Sequence, residues 1–229
     1  MDPLTSLALA TAAFVGTHLA MSHPLRAGLV RSLGERGFSA VYSLISFATL
    51  GWMIVAFRAS EPGSPLWVAP AWAWWVGSGV MLIASILLAG SLVRNPAFPH
   101  PGAAPQEIPA PKGVFAITRH PMNWSFMLWA ATHMALIGTV RNLIVAGGIL
   151  LLALVGSIGQ DAKKSRLLGN TWRSWQARTS FVPFGALVGG RVTAGEAVPG
   201  AVALIGGFAL WAVITWVHAP EWSLRALLG

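Results

Sequence analysis

An all-α bundle of about six transmembrane helices is the fold class that three observations on this sequence predict. Of 229 residues, 55% are hydrophobic and 10% charged, whereas soluble domains carry about a quarter charged residues. The apolar residues gather into six runs, each close to the ~20 residues that carry a helix across a bilayer. The charges keep to the ends and connections: Asp2, Glu35, Glu61, Glu107, Asp161, Glu196 and Glu221 all lie outside those runs.

The runs are residues 4–21, 39–57, 71–93, 122–139, 142–159 and 199–217. Helices are expected for all six, because a helix satisfies its own backbone groups where no water can. The first lacks the basic n-region of a cleaved signal peptide, so it reads as a retained span. Pro70, Pro121 and Pro199 stand at the starts of three others, where a missing N–H costs nothing. Residues 94–113, with six prolines in RNPAFPHPGAAPQEIPAPKG, should run extended. Residues 161–183 are basic and hold Trp172 and Trp175. They suit an interfacial helix resting on anionic lipid, or a clamp for a substrate or cofactor. Residues 1–229 form a single domain in this reading.

Basic residues set the orientation. Arg26, Arg31 and Arg36, then Arg94, Lys112 and Arg119, then Lys163, Lys164, Arg166, Arg173, Arg178 and Arg191 fall in the odd connections; only Arg58, Arg141 and Arg225 fall on the other side. The positive-inside rule therefore puts both termini in the periplasm of a bacterial inner membrane. Trp67, Trp72, Trp74, Trp75, Trp211, Trp216 and Trp222 would form a belt at the outer face. The net charge of +8 is thereby explained by topology, with the bilayer as partner and no nucleic acid.

Composition also narrows the chemistry. With no cysteine there is no disulfide, thiolate metal site or CxxCH haem attachment. Ion-coupled porters rely on buried carboxylates or charge pairs, and the runs offer none. Imidazoles remain, with His18 in the first run and His133 in the fourth, and His23, His100, His120 and His218 nearer the ends. An intramembrane histidine is a candidate functional group or a neutral hydrogen-bonding partner for a neighbouring helix. His120 and His133, 13 residues apart, lie about 20 Å and roughly 140° apart on one helix and cannot share a metal ion. Any shared centre must pair histidines from different helices.

Ala12, Ala13, Gly16 and Ala20 surround His18, and Ala130, Ala131 and Ala135 surround His133. Small residues allow close helix packing and equally leave a slot for a flat ligand. Haem suits such a slot, with imidazole axial ligands; zinc suits it less, for want of a carboxylate or thiolate. Arg119 and His120 precede Pro121 at a helix start, where free N–H groups favour an anion. A propionate or a substrate carboxylate would fit there, and His-Pro alone would also start a helix.

GTHLAMSHPLR, RHPMNWSFMLWAATHM and GNTWRSWQARTSFVPF together resemble the NnrU family over nearly the whole chain. These are small polytopic membrane proteins linked to denitrification and nitrogen-oxide metabolism. The superfamily is similar to the plant zeta-carotene isomerases, haem b proteins that convert a cis double bond to trans. That resemblance implies haem b ligated by His18 and His133, with His120 or His23 as the alternative second ligand. It leaves Arg119, His120 and Arg26 to bind propionate or to act on an apolar polyene. It also admits a non-enzymatic haem sensor of nitric oxide or an assembly factor. RHP followed by a basic Trp-containing segment ending in Pro more distantly resembles membrane methyltransferases that use S-adenosylmethionine. Asn123 and Ser125 replace their tyrosine and glycine, and Gln160 and Asp161 stand where they carry paired acids.

Overall fold

All six apolar runs are helical in the computed structural model, which describes residues 1–98 and 108–218. The helices among them are α1 (Pro3–Ser22), α2 (Arg26–Ala59), α3 (Ala71–Ser91), α4 (Val114–Ile117), α5 (Pro121–Leu136), α6 (Val140–Leu168), α7 (Asn170–Arg178), α8 (Gly185–Val188) and α9 (Ala201–His218). Among the described residues the only strand-like pairing is an isolated bridge between Val68 and Ile137. Five helices, α1, α2, α3, α6 and α9, are long and apolar enough to cross a membrane. At 16 residues, α5 extends about 24 Å, less than the ~30 Å hydrocarbon core.

Local chemistry explains the ends. The Asp2 side chain accepts the Thr5 N–H at 2.9 Å, capping α1 just before Pro3. Gly34, at φ 69° and ψ 169°, breaks the helical path of α2; only glycine enters that region at little cost. Arg26 and Glu35 pair across the break at 2.9 Å. Helix α2 therefore starts thirteen residues before the apolar run at Ser39, as a polar segment joined through Gly34 to the long apolar part. Helix α6 likewise continues past its apolar stretch to Leu168.

The chain divides into two compact units, Met1–Pro70 with Ala130–Gly159, and Ala71–Trp129 with Gln160–Gly229. In the first, Leu7, Ala10, Phe14 and Val15 of α1 bury against Met53 and Ala56 of α2, with Ile144, Val145 and Ile149 of α6 alongside. A Cβ added at Gly148 would strike Thr11, and one at Gly159 would strike the His23 ring. These two close approaches run in the same order along both segments, so α1 and α6 lie side by side in the same direction. Trp67 Nε1 donates to Ala135 O at 2.9 Å, and Arg141 donates to Ser60 O at 2.7 Å, tying the connections down.

In the second unit α3 packs on α9, and a Cβ at Gly207 would collide with the Ile86 backbone. Beneath them Leu87, Ile108, Val114, Phe115, Trp172, Trp175 and Ala203 form one core. The basic segment thus departs from the expectation of a helix resting on lipid. Trp172 is 0% exposed and Trp175 2%, so the apolar side of α7 buries inside the protein. Of the proline-rich stretch, residues 94–98 form turns and 108–112 run without helix or strand. His100 and Glu107 lie outside the described residues, as do Glu221, Trp222 and Arg225.

Candidate functional site

The residues singled out from the sequence fall in two places. His18, Arg26 and His133 belong to the first unit, and Arg119 and His120 to the second.

His18 sits on α1, half-buried, its Nδ1 2.9 Å from Phe14 O. A carbonyl only accepts, so Nδ1 carries the proton and Nε2 keeps its lone pair. That is the arrangement of a metal-ligating imidazole, whose second nitrogen is fixed by a backbone carbonyl. The ring packs 4.3 Å from Phe14 and 5.3 Å from Tyr42, edge-on to the latter. His133 lies near the C-terminal end of α5, where Asn142 Nδ2 donates to His133 O at 2.9 Å and Ile137 O at 2.8 Å. This clamp fixes the turn from α5 into α6.

Their relative level follows from α6. Gly148 marks the level of Thr11 and Val15 on α1; His18 lies beyond it, toward Gly159, and His133 lies before it, toward Asn142. Side chains on a helix lean toward its N-terminus. His18 therefore leans toward Phe14, whose carbonyl its Nδ1 meets. A Cβ at Gly147, adjacent to Gly148, would meet nothing within 4 Å. At about 1.5 Å per residue, His18, seven residues past Thr11, and His133, whose carbonyl is held by Asn142 six residues before Gly148, stand about 10 Å to either side of the Gly148 level. Arg26 is less available than expected, since it is paired with Glu35 and its guanidinium lies 5.3 Å from the Phe38 ring centre.

In the second unit, Arg119 and His120 occupy the short link between α4 and α5. Thr118 Oγ1 donates to Phe181 O at 2.7 Å, the Arg119 N–H donates to Ser180 O at 2.9 Å, and Trp124 Nε1 donates to Phe181 O at 2.8 Å. This lacing aims both side chains at α6. Arg119 Nε donates to Asp161 Oδ2 at 2.7 Å. His120, 3% exposed, places Nδ1 3.2 Å from Gln160 Oε1 and Nε2 3.1 Å from Asp161 Oδ1. The last two atoms are close enough for an ion pair but misaligned for a hydrogen bond, and neither has another partner. Phe181 covers the cluster, 5.3 Å from the His120 ring and 5.7 Å from the Arg119 guanidinium.

Asp161 is thus the residue that organises this cluster. Its sequence signals were its place directly after an apolar run and, with Gln160, at the position of the paired acids in the methyltransferase resemblance. No group of three or more His, Asp or Glu side chains able to hold a metal ion occurs among the described residues.

The family model described as NnrU protein matches this chain over residues 6–224. The chain belongs to the NnrU family. This NnrU-family protein is also similar to the 15-cis-zeta-carotene isomerase, chloroplastic, of Arabidopsis thaliana, at 27% identity over 165 residues. The match takes in 69% of this chain and 44% of the isomerase, so the chain spans under half the length of that curated relative. No solved structure matches it.

Proposed function

We propose that this NnrU-family membrane protein binds haem b between His18 and His133 in a bacterial inner membrane and isomerises a cis double bond in an apolar polyene. The observation that carries the reading is the Nδ1 contact from His18 to Phe14 O at 2.9 Å, which leaves Nε2 as a directed ligand. Family membership and the isomerase relative support the reaction class.

Haem, when bound, would supply the electronic chemistry that lowers the rotation barrier of a double bond without net redox change. The chain's own residues bind and orient. Phe14 O holds the His18 ring in one tautomer, and Asn142 fixes the end of α5 that carries His133. Leu7, Phe14 and Val15 keep the surroundings apolar, so a polyene enters from lipid and water stays out. Arg119 and His120 take a positioning role: bound to Asp161 and Gln160, they anchor the start of the same helix that carries His133.

The test is product analysis. Lipid extracts of cells that accumulate a cis-polyene, with and without this protein, are separated by chromatography. A shift toward the trans isomer that His18→Ala abolishes is expected. An unchanged isomer ratio in cells holding haem-loaded protein would refute the isomerase reading.

A further inference from the structure

A cavity of about 830 Å³ opens at the C-terminal end of α3, wholly within the second unit. Its inner wall is apolar, with buried Ile108, Phe115 and Trp175, and its lining also includes exposed Leu92 and two cations, Arg94 and Lys112. Both cations are exposed. Lys112 acts electrostatically on Glu196, while none of the ion pairs among the described residues involves Arg94.

Trp175 is the unusual member. It is 2% exposed, and its Nε1–H is buried without a hydrogen-bond partner. A buried donor left unpaired costs about 1–3 kcal/mol, and indole N–H groups normally find an acceptor when buried. The N–H is occluded behind the wall, so the ring face is what Trp175 offers to a cavity large enough for a ligand, since small-molecule sites span roughly 300–1,000 Å³.

We infer that this cavity binds an anionic phospholipid, its headgroup against Arg94 and Lys112 and an acyl chain along the apolar wall. The features match those of lipid sites beside membrane helices, where basic pockets capture anionic headgroups. A free anion would use the cations but not the apolar wall. A neutral apolar molecule would use the wall but leave the cations idle. This site is separate from the haem reading and stands or falls without it.

The experiment is native mass spectrometry of the full chain, delipidated in detergent and offered equal phosphatidylglycerol and phosphatidylcholine. Wild type should retain phosphatidylglycerol preferentially, and Arg94→Gln should cut that preference about fivefold, the worth of one basic residue at an anionic lipid surface. Equal retention of the two lipids would overturn the inference. So would an Arg94→Gln variant indistinguishable from wild type, or displacement of the lipid by millimolar inorganic phosphate.

Discussion

Asp161 shows how one side chain decides whether its neighbours are tolerable. Its carboxylate meets Arg119 at 2.7 Å and His120 at 3.1 Å, with Arg119 and Asp161 side chains 14% and 13% exposed. Asp161→Asn would leave the Arg119 guanidinium without its anion in a largely water-free setting. The expected loss is about 3 kcal/mol, the scale of breaking a buried pair from one side, read as a lowered thermal midpoint in detergent. Adding Arg119→Gln should recover part of it, since coupled residues are not additive; full additivity would deny the coupling. The sequence made Arg119 and His120 visible through their place before Pro121, and His18 and His133 through burial in apolar runs. Apart from the distant methyltransferase resemblance, it did not connect Asp161 to Arg119, because 42 residues separate them and no local pattern spans that distance.

At the scale of the element, the six runs were legible because a bilayer demands continuous apolar length. The polar start of α2 was not, since residues such as Arg31 and Glu35 carry no such pattern. Gly34 is the joint there, and Gly34→Ala should cost about 1–3 kcal/mol, as L-residues rarely tolerate that φ, ψ region. An unchanged midpoint for that variant would mean the break relaxes freely. Close packing makes a second test. Gly148→Val would push two methyl groups into Thr11 and should destabilise by about 1–3 kcal/mol through overpacking, whereas Gly147→Ala, with open space beside it, should be nearly silent in unfolding. Of the two readings of α7, a helix resting on lipid or a clamp, the first departs from the structure for a physical reason. Lipid and protein interior are both apolar, so the amphipathic pattern of Trp172 and Trp175 does not say which one receives them.

For the whole molecule, charge asymmetry predicts an orientation that labelling can check directly. The chain has no cysteine, so single cysteines report without background. Glu61→Cys, between α2 and α3, should react with an impermeant maleimide added to intact spheroplasts, and Arg31→Cys should react only after lysis. The reverse pattern would invert the topology read from the basic loops. The division into two units was not foreseen, since α5 and α6 each contribute to both and the sequence shows no break in either helix.

The measurement that bears most directly on the central claim is the absorption spectrum of the purified protein, oxidised and reduced, after expression with ample haem. A sharp Soret band with split α and β bands on reduction, lost in both His18→Ala and His133→Ala, is the expected result. Loss in only one of the two variants would move the second ligand to another histidine. A colourless protein would contradict haem binding altogether.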